Sequence, residues 1–154
     1  MSVGTLKAMP NQHQPAALLP SFLQSAGVLV DVRSPAEFEQ GHLPGAQNLP
    51  LFDDDQRAVV GTIYKHQGRQ QAVLQGLAFV GERLAELGET LQRHAETSDG
   101  LLRLYCWRGG MRSQSMSWLA GTLGLQTQVL DGGYKAFRRW VLELVEQRWP
   151  LLLL

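Results

Sequence analysis

The segment LLRLYCWRGGMRSQSMSWLAGTLG, residues 101–124, runs from a short apolar stretch through a glycine pair into a helical pattern. VLVDVRSPAEF, from residue 28, likewise runs from an apolar stretch into a helical pattern, and QTQVLDGGYKAFRRW, from residue 126, does so again through a glycine pair. Strands that alternate with helices in this way are joined by crossover connections, and a crossover makes neighbouring strands parallel. The chain is therefore read as α/β, with a mostly parallel central sheet flanked by helices.

Val28, Leu29 and Val30 form a buried-strand run. Ser34 is placed to cap the next helix, with Pro35 at its first position and Glu37 at capping-box spacing. A second small strand falls near Ala46 to Leu49. Residues 53 to 99 form the helical insertion that precedes the third strand, with Asp53, Asp54 and Asp55 at a helix start, where the dipole favours negative charge. Val73, Leu77, Val80, Leu84, Leu87 and Leu91 recur in steps of four and three, which predicts one apolar stripe of a helix lying on the sheet. The helix after residue 113 ends at Gly121 or Gly124. The last helix carries Tyr134, Phe137, Trp140, Val141 and Leu144. Residues 1–16 read as a proline-dotted arm, 17–147 as the domain, and 148–154 as the start of a further domain.

Composition removes several function classes. Lys and Arg total 14 against 14 Asp and Glu, so no global field draws nucleic acid or an anionic membrane. A neutral total can still contain a local basic patch. One cysteine excludes an internal disulfide framework or a multi-cysteine metal cluster. His13, His42, His66 and His94 lack the short pairings of a zinc site, so no metal is expected. No run reaches the apolar length of a membrane span, and the start of the chain does not read as a signal peptide. The expectation is a cytoplasmic chain whose thiol stays reduced.

That thiol, Cys106, ends a parallel strand and faces a helix N-terminus expected about Ser113, the end of an open α/β sheet where ligands bind. Residues 107 to 112 can wrap the sulfur, with Gly109 and Gly110 permitting positive φ. The helix dipole and the cations of Arg108 and Arg112 then favour a thiolate, and the same cradle accepts an oxyanion or a persulfide-type anion. A lone cysteine in an α/β protein is ordinarily a small core hydrophobe, but two arginines and two glycines directly after it fit a core position badly. The candidate catalytic residue is Cys106. The anion-binding loop is Trp107, Arg108, Gly109, Gly110, Met111, Arg112 and Ser113, with Asp31 and Arg33 supporting it from below.

Three separated stretches carry a family resemblance. DVRSPAEFEQGHLPGAQNLP is similar to the rhodanese pattern D-x-R, E-F, G-H-x-x-G-A and N-x-P, CWRGGMRS occupies the place of that family's active-site loop, and VLDGGYKAFRRW resembles its closing strand, turn and helix. With GTIYKHQGRQQA in the insertion, the chain resembles the N-terminal rhodanese-like domain of the bacterial tRNA 2-selenouridine synthases. The resemblance implies a transferase that replaces the sulfur of wobble 2-thiouridine in tRNA with selenium, through a geranylated intermediate, with selenophosphate as the donor substrate and no cofactor. It implies Cys106 as the catalytic residue. The implied partners are tRNA, selenophosphate and its synthase, and a C-terminal P-loop domain, without which this chain should fail at complete selenation. No G-x-x-x-x-G-K-S/T motif occurs here, and the four leucines from Leu151 to Leu154 read as the strand that would deliver one.

The loop departs from ordinary rhodaneses, because Cys106 to Arg112 is C-x5-R rather than C-x4-R. Rhodanese-fold phosphatases and arsenate reductases share the wider spacing, although those phosphatases usually place histidine where this chain has Tyr105. A thiosulfate or persulfide sulfurtransferase, a C-x5-R phosphatase or arsenate reductase, and a non-catalytic binding module stay open beside the synthase reading. Trp107 and Met111 could form an apolar rim for a base or a geranyl chain. Arg57, Lys65, His66 and Arg69, like Arg138 and Arg139, read as solvated helix faces with RNA phosphates as the alternative. His42 reads as a turn histidine.

Overall fold

The structure is a computed structural model that describes residues 18–98 and 100–146. The expected arm at 1–16 and the expected domain start at 148–154 lie outside the described residues. Strands β1 (Val28–Asp31), β2 (Gln47–Asn48), β3 (Leu101–Tyr105) and β4 (Gln126–Val129) form one sheet in the order β2-β1-β3-β4, parallel throughout. The helices are α1 (Leu19–Gln24), α2 (Pro35–Glu39), α3 (Asp54–Gln67), α4 (Arg69–Gly81), α5 (Leu84–Glu96), α6 (Met111–Thr122) and α7 (Gly133–Glu146). From β1 the chain steps outward to β2, then returns past β1 to build β3 and β4 on its other side. The winding direction thus reverses between β1 and β3, and the carboxyl ends of those strands frame the crevice where such sheets bind ligands.

Strand alternation sorts the core into two faces. Val30, Leu102, Leu104 and Cys106 lie on one face with Leu87 and Leu91 of α5 and Met116 and Ala120 of α6. Leu29 and Tyr105 lie on the other with Phe22 of α1 and Tyr134 and Phe137 of α7. Parallel strands covered on both faces read as continuous apolar runs, which is why these were visible in the sequence.

Local signals at the helix starts act as written. The Glu37 carboxylate accepts the Ser34 N–H at 3.3 Å, and Asp53 accepts the Gln56 N–H at 2.7 Å. The single stripe expected from Val73 to Leu91 is corrected. The chain breaks between α4 and α5 at residues 82–83, and Leu77 and Leu84 are exposed, while Leu87 and Leu91 are buried. Periodicity can continue in register across a tight break. Here α5 packs on the sheet, whereas α3 and α4 pack chiefly on each other and reach the core through Val60, Phe79 and Val80, with small residues Ala72 and Gly76 as the buried positions of α4. No helix among the described residues is long and apolar enough to cross a membrane.

Candidate active site

Cys106 follows the last residue of β3, and α6 begins at Met111, two residues before the expected start. The loop between them is held by the start of α7, whose first N–H groups have no acceptor inside their own helix. The Tyr134 N–H donates to the Cys106 carbonyl at 2.9 Å, and the Lys135 N–H to the Trp107 carbonyl at 3.0 Å. Gly109 has φ +68°, and a β-carbon there would lie 2.4 Å from the Leu130 carbonyl oxygen. Gly133 has φ +57°, and a β-carbon there would lie 2.3 Å from the Cys106 carbonyl oxygen. Two glycine turns therefore meet backbone to backbone.

Of the two glycines that permit positive φ, Gly110 does not use it. Its φ is −93°, and a β-carbon there would meet nothing within 4 Å. Gly109→Ala should accordingly cost about 2–4 kcal/mol, from left-handed strain plus overpacking. Gly110→Ala should melt close to the parent. Thermal unfolding of the two variants checks this, and equal losses would contradict the assignment of the turn to Gly109.

Strand alternation aims the Cys106 side chain at the face of α5 and α6. It is 3% exposed. Its sulfur lies 3.3 Å from the Ser113 hydroxyl, which in turn donates to the Gly110 carbonyl at 3.1 Å. On the opposite face, Asp31 and Arg33 pair beneath the loop. Asp31 Oδ1 accepts the Arg33 N–H at 2.9 Å, and Oδ2 takes the guanidinium Nη2 at 2.5 Å. Arg33 also donates to the Gly41 carbonyl and lies 4.1 Å from the centre of the Tyr134 ring. Burial opposes the Arg33 charge, but the hydrogen bond and Coulomb attraction of Asp31 outweigh it and raise its pKa. Burial, reinforced by the Asp31 charge, pushes the Tyr105 phenol well above its ordinary range, so it stays protonated and accepts the Leu43 N–H at 3.1 Å. The pair thus ties the end of β1 to the start of α7, the helix that holds the loop.

Above the thiol lies a cleft of about 960 Å³ between the cysteine loop and the α3–α4 hairpin. The hairpin brings Arg57, Lys65, His66 and Arg69 to its lining, and the loop brings Arg108 and Arg112. Among the described residues, none that lines it is acidic. Trp107 and Met111 line it as well. Met111 is 42% exposed, and Trp107 is half-buried with its ring tilted against Tyr134 at 5.8 Å. The loose cluster in the insertion is therefore one wall of the site. Arg138 and Arg139 are exposed on α7 and do not line the cleft, and His42 stacks on Phe38 at 3.8 Å, serving its turn.

One residue of the site was not legible as such. Glu37, read as a capping residue and as part of the E-F pattern but not as a site residue, accepts Arg112 Nη1 at 2.5 Å and Nη2 at 3.2 Å, and Arg57 Nε lies 3.4 Å from its Oε2. Burial alone would raise its pKa, but the Arg112 hydrogen bond and charge, with Arg57 and the Ser34 N–H, bring the carboxyl below the usual range. Its contribution to stability is therefore full above the unfolded value and is lost as pH falls through the lowered folded one. Glu37 and Arg112 are 75 positions apart, so no spacing rule could have joined them.

Among known proteins, the Rhodanese-like domain family model matches residues 14–139. The tRNA 2-selenouridine synthase of Bdellovibrio bacteriovorus is 42% identical over 125 residues, 77% of this chain and 31% of the relative. That of Shewanella denitrificans is 39% identical over 139 residues, 90% of this chain and 38% of the relative. A solved N-terminal domain from Clostridium difficile 630, of a protein described as ATP/GTP binding, superposes with a TM-score of 0.78 at 38% identity. The match covers 82% of this chain and 98% of that one. The chain spans about a third of the length of the curated relatives it matches.

Proposed function

The chain belongs to the rhodanese-like domain family, and from that premise we propose that it is the sulfur- and selenium-handling domain of a tRNA 2-selenouridine synthase, with Cys106 as the reacting group. The observation that carries this reading is the placement of the chain's one cysteine in the lining of a cationic cleft, at the carboxyl end of β3. A thiolate takes up sulfur or selenium by attacking that atom of the donor: the new S–S or S–Se bond forms as the donor's own bond to it breaks, with sulfite leaving from thiosulfate and phosphite from selenophosphate. Cations on both walls suit a selenophosphate donor and the phosphates of tRNA, and Trp107 and Met111 offer an apolar rim to a base or its geranylated form. In the proposal the enzyme is a transferase acting on wobble 2-thiouridine, no cofactor is required, and its partners are tRNA, selenophosphate with its synthase, and a P-loop domain.

Intact-mass spectrometry of the chain after separate incubation with selenophosphate, thiosulfate and a phosphate ester tests the chemistry. A Cys106 adduct from selenophosphate, and none from the ester, is expected. A phosphorylated cysteine from the ester alone would replace the reading with a phosphatase, and a persulfide from thiosulfate alone with a general sulfurtransferase. No adduct from any donor would leave a binding module.

A further inference from the structure

The Glu37 contacts bring two guanidiniums to one carboxylate. Oε2 takes Arg112 at 2.5 Å and Arg57 at 3.4 Å, and Oε1 takes the second Nη of Arg112 at 3.2 Å. Arg112 comes from the first turn of α6 and Arg57 from α3, so the carboxylate joins the two walls of the cleft that also contains Cys106. Gly61 serves the same arrangement, because a β-carbon there would lie 2.6 Å from Arg57 Nη1. The helix has no side chain where the Arg57 guanidinium lies. An arginine fork that grips a carboxylate in this way presents the donors that a phosphoryl group would use.

We propose that Arg112 and Arg57 form an oxyanion subsite beside Cys106 for a phosphoryl or similar tetrahedral group, and that Glu37 occupies it as an internal counter-anion until such a group displaces it. The carboxylate is ionised at neutral pH, since its partners hold its pKa below the usual range. Arg57 is 41% exposed and Arg112 is 17% exposed, both on long side chains that can turn from Glu37 to a ligand. The triad carries a net charge of +1 while Glu37 holds both arginines, so the free site is partly neutralised. Exchange of Glu37 for an oxyanion leaves two cations on the ligand. This assignment deepens the proposed function and rests on Cys106 as the reacting group, yet it requires no selenium chemistry.

The lone cysteine makes the test direct, because iodoacetamide alkylation of the chain reports only Cys106. Inorganic phosphate, titrated at constant ionic strength against chloride, is expected to slow that alkylation saturably in the parent chain. In Glu37→Gln the half-protecting phosphate concentration should fall about tenfold, since both the competing acceptor and its charge are gone. In Arg57→Ala it should rise about tenfold, and Arg57→Lys should recover part of the loss. A Glu37→Gln chain that melts near the parent and binds phosphate no more tightly would overturn the counter-anion. Should Glu37→Gln fail to fold, unchanged protection in Arg57→Ala, whose side chain is partly exposed, would overturn the subsite. Absence of phosphate protection in the parent would also overturn it, while leaving the selenium adduct of Cys106 to stand or fall on its own.

Discussion

Cys106→Ser is expected to remove every covalent adduct of the chain and to lower selenium or sulfur transfer by at least about a thousandfold. The chain has one cysteine, so no second thiol can substitute for it. A hydroxyl is close to a thiol in shape but is a far weaker nucleophile near neutral pH. The fold should tolerate the change. The serine hydroxyl would keep the Ser113 hydroxyl, 3.3 Å from the sulfur, as its neighbour, so it is not buried without a partner. The stability loss should stay within about 1 kcal/mol. Mass spectrometry with each donor reads the chemistry, and thermal unfolding reads the fold. Transfer that survives in a folded Cys106→Ser chain would show that the thiol is not the reacting group.

Asp31→Ala should be the most damaging change to stability outside the apolar core. Arg33 is 1% exposed and Asp31 is fully buried, so the substitution leaves a guanidinium enclosed without its counter-ion. Breaking a buried pair from one side costs about 3–5 kcal/mol, which for a chain of this size lowers the melting temperature by roughly 6–20 °C. The damage should also reach the loop. Arg33 lies against Tyr134, and the Tyr134 N–H holds the Cys106 carbonyl. Asp31→Asn keeps one oxygen acceptor and should fall between Asp31→Ala and the parent. If Asp31→Ala melts within a degree or two of the parent, the pair is not the support of the loop.

The order of strands and helices was legible because buried parallel strands are continuous apolar runs and helix starts carry local signals. Val28–Val30, the Ser34–Pro35–Glu37 start and the Asp53 cap are all short-range features, and each acts where its residues stand. The Val73–Leu91 stripe misled for the converse reason. A heptad-like spacing reports which residues can share a face, not whether the backbone stays continuous or what that face meets. Leu77 faces an open cleft, while Leu87 faces the sheet.

The strand end before Cys106 and the loop that follows it were likewise legible, since an apolar run closed by a glycine pair and followed by a helical pattern is a local signal. That Gly109 but not Gly110 takes positive φ depended on the Leu130 carbonyl, which comes from another strand end. By itself the sequence determined the α/β class and the position of the one cysteine sulfur at a strand terminus, followed by a glycine- and arginine-bearing loop. Tertiary structure alone decided that the inserted α3–α4 hairpin turns its cations toward that sulfur, and that Glu37 takes Arg112 and Arg57 together. These are contacts between residues on separate elements, and their energies depend on distance and burial, which packing sets and sequence spacing does not encode.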